Sequence, residues 1–161
     1  MNLDRQLKLL IDNAPQDGHT PQAMTAIAPV LKRLATGLQH SEYYILQTLD
    51  KDWVMTTLSN RAQPEVEKNV VYAFSTVKDA TDFQSMPDPR IITLKLPVTH
   101  ILFQLFAMQS VDSIVFFDTP GNLASGIEVL RADLQNLIEA QLQQKRSASR
   151  SKPSNIPPDI A

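Results

Sequence analysis

Asp118-Thr119-Pro120-Gly121 closes an apolar run, residues 113–117, and matches letter for letter the D-x-x-G box of many GTP hydrolases. That chemistry also needs a glycine-rich loop whose amides wrap the phosphates, with a Lys and a Ser or Thr for charge and magnesium. The chain has four glycines, at 18, 37, 121 and 126, and none precedes a Lys-Ser or Lys-Thr pair. A guanine-reading N-K-x-D element is missing too. The same residues are strong turn formers: Asp and Thr open turns, Pro fixes one φ angle, and Gly121 or Asn122 can take positive φ. The box is therefore expected to be a turn at a strand end.

The remaining chemistry-bearing residues are scattered. The histidines fall in a Pro/Gly loop (His19), after a helix (His40) and within the apolar helix VTHILFQLFAM (His100), and none has a second ligand at metal spacing. Asp79 and Asp82 stand three apart and could pair for acid–base work if burial separated their pKa values. Thr76-x-x-Asp79 reads more simply as a capping-box variant, with Val77, Ala80 and Phe83 as the buried face. Ser75 lacks the G-x-S-x-G elbow of a nucleophile. No metal set, cofactor site or catalytic constellation is expected.

These residues need elements to position them. Leu3, Leu7 and Leu10 recur at helical spacing until APQDGHTP breaks the pattern. Thr20 can cap a second helix, with Pro21 in its first turn and Met24, Ile27, Leu31, Leu34 and Leu38 on one face. Pro29 lies within it, so the helix kinks or starts afresh there. YYILQTL and WVMTTLS, separated by Asp50-Lys51-Asp52, read as a hairpin. The polar stretch NRAQPEVEK leads to a third strand, NVVYAFS. A short helix at 76–84, a strand at 90–96, a helix near 97–110, the strand SIVFFD and a short strand GIEV follow. Leu130, Leu134, Leu137, Ile138 and Leu142 then mark an amphipathic C-terminal helix. The expected fold is α/β (α+β): a mixed sheet of five to six strands, N-terminal helices and that last helix.

Length and charge bound the rest. A chain of 161 residues suits one domain, and the absence of cysteine excludes thiolate enzymes, zinc–cysteine clusters and disulfide scaffolds. Residues 1–144 carry 11 Lys/Arg against 16 Asp/Glu, whereas 145–161 carry Lys145, Arg146, Arg150 and Lys152 against Asp159. The acidic body repels phosphate backbones, so nucleic acid is not an expected partner. The aromatic residues lie in apolar runs without interleaved basic residues, as core does. The N-terminus has no unbroken apolar core, and the run 101–108 is too short to span a bilayer, so neither signal nor membrane segment is expected. The expected location is the cytoplasm. The body is expected over 1–144, with helices in 1–40 and the sheet in 43–144. SASRSKPSNIPPDIA makes 145–161 a basic, Ser/Pro-rich flexible tail.

VYAFST running into VKDATDF, then VDSIVFFDTPGN, then GIEVLRADLQNLI occur in the order of the corresponding elements in the N-terminal domain of the SseB-like family. Residues 43–142 resemble that domain, with Asp118-Thr119-Pro120 where the family has an Asn-Pro turn. The resemblance implies an α/β fold and a role in regulation or protein interaction, with no catalytic residues to carry across.

The expected function is thus a non-catalytic protein-interaction or regulatory module with an unidentified protein partner, the basic tail serving as a tether; a homodimer stays open. The alternative is a small-ligand binder or unrecognised enzyme. Ligands of open α/β sheets often sit beyond the C-terminal ends of parallel strands. Its residues would be Ser75, Thr76, Asp118, Thr119 and Asn122, provided their strands are parallel neighbours.

Overall fold

The computed structural model describes residues 2–12, 20–60, 62–84, 88–124 and 126–154. Two helices come first, α1 (Leu3–Asp12) and α2 (Thr20–Thr36). They precede three strands, β1 (Glu42–Thr48), β2 (Thr56–Asn60) and β3 (Gln63–Phe74). Then come α3 (Val77–Phe83), β4 (Ile91–Pro97), α4 (Val98–Ala107), β5 (Ser113–Phe117), β6 (Ile127–Leu130) and α5 (Arg131–Ser154). The fold is α/β, built on an open mixed sheet ordered β4-β1-β3-β5-β6, with β2 also on β3. Among the described strands only β3 and β5 pair in parallel, joined by a crossover through α3, β4 and α4.

Strand alternation divides the apolar residues between two layers. Tyr43, Ile45, Val71, Ala73, Ile114 and Phe116 face α1, α2, α4 and α5 and form the main core. Leu46, Phe74 and Phe117 point the other way and meet Ala80 of α3. Tyr72, Phe74 and Phe117 make an aromatic row there, with Phe83 laid on Tyr72 (centroids 4.8 Å) and Phe74 (5.2 Å). Among the described residues, α1, α2, α4 and α5 cover one face and the two-turn α3 the other.

The leucine repeats produce α1 and α5 as expected. Asn2 starts α1, its Oδ1 accepting from Arg5 N at 2.8 Å. The helix α2 is continuous through Pro29 rather than restarting there. The Thr20 side chain and His19 lie outside the described residues. Among the described residues no helix is long and apolar enough to cross a membrane.

Three boundaries differ from expectation. The Asp50-Lys51-Asp52 turn forms: Thr48 N donates to Asp52 O and Lys51 N to Thr48 O. Beyond a bridge between Gln47 and Trp53, however, the chain leaves β1 and pairs with β3 as β2. The strand β3 begins at Gln63, inside the polar stretch. Its first half pairs with β2 alone, so neither face needs an apolar alternation, and Pro64 is tolerated where no strand lies on the other side. Lastly, α5 continues to Ser154, past the expected start of a flexible tail at 145. Lacking apolar groups, that segment can build no core, but Lys, Arg and Ala still favour helix locally. Residues 155–161 lie outside the described residues.

Lys51 holds φ at 70°, the left-handed region that a side chain with a Cβ disfavours. Lys51→Gly is expected to raise stability by about 0.5 kcal/mol, net of the entropy glycine loses. A urea titration of both chains checks the sign.

Candidate functional site

The parallel pair meets the condition set by the sequence. Phe74 of β3 lies opposite Phe117 of β5, so Ser75 and Asp118 leave the sheet from adjacent strand ends. Side chains then alternate along β5. Phe116 faces the main core, Phe117 the α3 layer, and Asp118 turns back toward the helices.

Asp118 is buried there, 6% exposed. Its Oδ1 accepts a hydrogen bond from the Tyr43 hydroxyl, and its Oδ2 accepts from Gln39 N at 3.4 Å. The Asp118 carbonyl accepts from His40 Nε2–H at 2.7 Å, which fixes that tautomer. Tyr43 OH accepts in turn from His40 N at 3.3 Å. The Tyr43 ring is fully buried and stands edge-on to Phe116, centroids 5.0 Å apart. Burial foremost, and then the hydrogen bond to Asp118, push the Tyr43 phenol well above its ordinary pKa, so it stays a donor.

The residues after Asp118 form a hydrogen-bonded turn. Asn122 N donates to Thr119 O at 3.1 Å, with Pro120 at the second position and Gly121 at the third with φ of 80°. That is a type II turn, the geometry that favours Pro followed by Gly. Asn122 Oδ1 accepts from Ala124 N at 3.0 Å and continues the bend. A carboxylate from across the sheet closes it. Asp79, 4% exposed on α3, accepts from Gly121 N with both oxygens, at 3.0 and 3.2 Å. Thr76 caps the helix, its Oγ1 accepting from Asp79 N at 3.1 Å. The Thr76 half of the expected capping box is present, whereas the Asp79 carboxylate clamps the turn through the Gly121 amide, and Asp82 is exposed. With Asp79 turned inward, only Ala80 of the expected apolar face is buried; Val77 is 50% exposed and Phe83 37%.

Gly121→Ala is expected to cost about 1 kcal/mol, all of it backbone strain, because an added Cβ meets nothing within 4 Å. Gly121→Asn should cost less, since Asn tolerates the left-handed region. Denaturant titrations of the three chains should rank them Gly, Asn, Ala.

The five candidate ligand residues are not all brought to the cavity at Asp118. Asp118 and Thr119 line a cavity of about 170 Å³ with Gln39, Phe116, Gly126 and Ile127. Ser75, Thr76 and Asn122 stand outside it. The Ser75 Oγ is buried with no hydrogen-bond partner among the described residues. His100 Nε2–H donates to Gln6 O at 3.1 Å, a packed helix residue as expected. The side chains of Lys145, Arg146, Arg150 and Lys152 lie outside the described residues. Among the described residues no group of three or more potential ligands could hold a metal ion.

Sequence reasoning missed Tyr43, Gln39 and His40 around Asp118, and the Asp79 contact with Gly121. The partners lie 75 and 42 positions apart, and no local pattern announces either contact. No protein-family model matches the chain, and a search of curated proteins finds no match to it.

Proposed function

We propose that this chain is a non-catalytic protein-interaction module, regulatory in effect and working in the cytoplasm. One contrast carries the reading. The polar groups at the strand ends are largely spent on internal hydrogen bonds, while large apolar side chains stay open to solvent. Asp118 holds Tyr43 and Gln39, Thr76 caps α3, Asn122 braces its own turn, and Asp79 takes the Gly121 amide. Meanwhile Leu58, Val77, Phe83 and Ile127 are 37–50% exposed. Large apolar side chains left open to solvent are available for a partner to cover, and a contiguous patch of them would mark an association site. The resemblance to SseB-like N-terminal domains adds the same non-enzymatic expectation.

For a ligand at the strand ends, the cavity that reaches Asp118 is the supporting observation. Its volume of about 170 Å³ lies below the range of roughly 300–1,000 Å³ usual for small-molecule sites. Affinity capture from native lysate, read by mass spectrometry, tests the proposal. The full chain is compared with one ending at Gln144, which retains Leu134, Leu137, Ile138 and Leu142, the α5 residues that reach the core. Specific partners on both chains place the interaction on the folded body, and loss with the truncation places it on the basic segment. A clean blank with both, beside binding of a small molecule at Asp118, would overturn it.

A further inference from the structure

Resting on the interaction reading, we propose that the open edge of β6 and the groove beside it dock an extended, aliphatic peptide segment of a partner protein by β-strand addition. The strand β6 ends the sheet. Its pairing with β5 sets Ser113 against Leu130 and Phe116 against Ile127. Arg131 N donates to Asp112 O at 2.8 Å, which makes the next position a hydrogen-bonded pair. In an antiparallel ladder such pairs alternate, so Ile127 and Val129 bond to β5 while Glu128 and Leu130 direct N–H and C=O outward. The four-residue strand is held firmly. Glu128 accepts from Ser113 Oγ at 2.7 Å and pairs with Lys68 on the α3 face of the sheet.

A cavity of about 300 Å³ runs along the same four residues, between the C-terminal end of α2 and the start of α5. Leu34, Leu38, Leu134 and Leu137 give it apolar walls. Glu128 and Leu130 also line it, although the register turns their side chains to the other face, so the cavity reaches the main chain at the edge. Ile127, 43% exposed, lines both this cavity and the one at Asp118.

Exposed main-chain donors and acceptors beside an apolar slot are the two parts of strand addition: the backbone supplies affinity and alternate side chains supply specificity. A helix laid in the groove would leave the edge unused. The rim selects charge as well. Arg33 on α2 and Asp133 on α5 flank the slot, and neither has an ion-pair partner among the described residues. The fitting segment carries an aliphatic residue for the slot, with an acidic neighbour for Arg33 and a basic one for Asp133.

The test uses the full chain and a phage-displayed library of random linear peptides. An enriched peptide, resynthesised, is titrated into isotopically labelled protein and followed by amide hydrogen exchange. The expected result is slowing by about tenfold or more at Glu128 and Leu130, with Ile127 and Val129 unchanged. Leu137→Trp, which fills the slot, and the exposed-site reversal Arg33→Glu should each weaken binding about tenfold, the second without touching the core. Peptides that protect Val77 and Phe83 instead overturn this site and leave the interaction reading standing. Pairing of β6 with β6 of a second copy, seen as a dimer whose Glu128 amide is already protected, also overturns it. A library that enriches nothing counts against both.

Discussion

Gln6→Leu is expected to lower stability by about 3 kcal/mol, although it exchanges one buried side chain for another of similar size. Gln6 is fully buried on α1, where its neighbours in sequence suggest only a leucine stripe. Its Oε1 accepts from Thr99 N at 3.1 Å and from Thr99 Oγ1 at 2.8 Å, and its Nε2 donates to Ser41 O at 2.8 Å. The residue before α4, at its N-cap, is Pro97, which makes no side-chain cap. Gln6 therefore supplies from another helix the acceptor that a Ser or Asp would provide locally. Leucine would leave the Thr99 amide and hydroxyl buried without that acceptor, at about 1–3 kcal/mol for each unsatisfied group. Ser41 O would keep a bond from Val98 N at 2.9 Å, so it adds little. Urea midpoints with an unchanged slope check the size. The double variant with Thr99→Val should recover about 1 kcal/mol by removing one orphan. The Asp4–Lys32 pair also joins α1 to α2, but both side chains are more than half exposed, so Asp4→Asn should cost under about 0.5 kcal/mol. If the two single variants cost the same, Gln6 is not the strap that holds α1 to α4.

The sequence signals that proved sufficient were the ones that act locally. The stripe from Leu134 to Leu142 gave α5 its buried face, Thr76 capped α3, and Pro120-Gly121 made the turn their types require. The order of strands and helices implied a mixed sheet, and in it β3 and β5 are the parallel neighbours that the ligand reading required. What stayed hidden depends on partners far along the chain. Gln6 and Asp79 are polar residues on short amphipathic helices and would ordinarily be assigned to solvent; each is buried because its acceptor oxygens meet donors 93 and 42 positions away. The early start of β3 escaped notice because a hairpin arm beyond the sheet has no buried face to impose alternation. The candidate residues are likewise taken up by separate tasks, Thr76 in the cap of α3 and Asn122 in its own bend, while Asp118 turns to the main core. One residue of advance along a strand reverses the side chain, so Asp118 and Phe117 serve opposite layers although they are adjacent in sequence.

Tyr43→Phe should cost about 2–3 kcal/mol near neutral pH, and it should also remove a dependence on alkaline pH. The hydroxyl donates to a buried carboxylate, and a hydrogen bond to a charged group contributes about 1.5–3 kcal/mol. Phenylalanine keeps the packing on Phe116 but leaves Asp118 with only the 3.4 Å contact from Gln39 N on its carboxylate. The pH effect has a definite sign. The folded phenol holds its proton well above the ordinary value of 10.0, whereas the unfolded phenol releases it there. Above pH 10 the unfolded chain therefore binds fewer protons than the folded one, and stability falls as pH rises. The contribution is complete below pH 10 and declines above it by up to about 1.4 kcal/mol per pH unit, until the folded phenol itself ionises. The wild-type chain should lose stability faster than Tyr43→Phe between pH 10 and pH 11, narrowing the gap seen near neutrality. Urea midpoints of both chains across that interval measure the difference, and phenolate absorbance follows the proton directly. Parallel stability curves, or a phenolate signal from Tyr43 before unfolding, would mean that the buried hydroxyl does not hold its proton for Asp118.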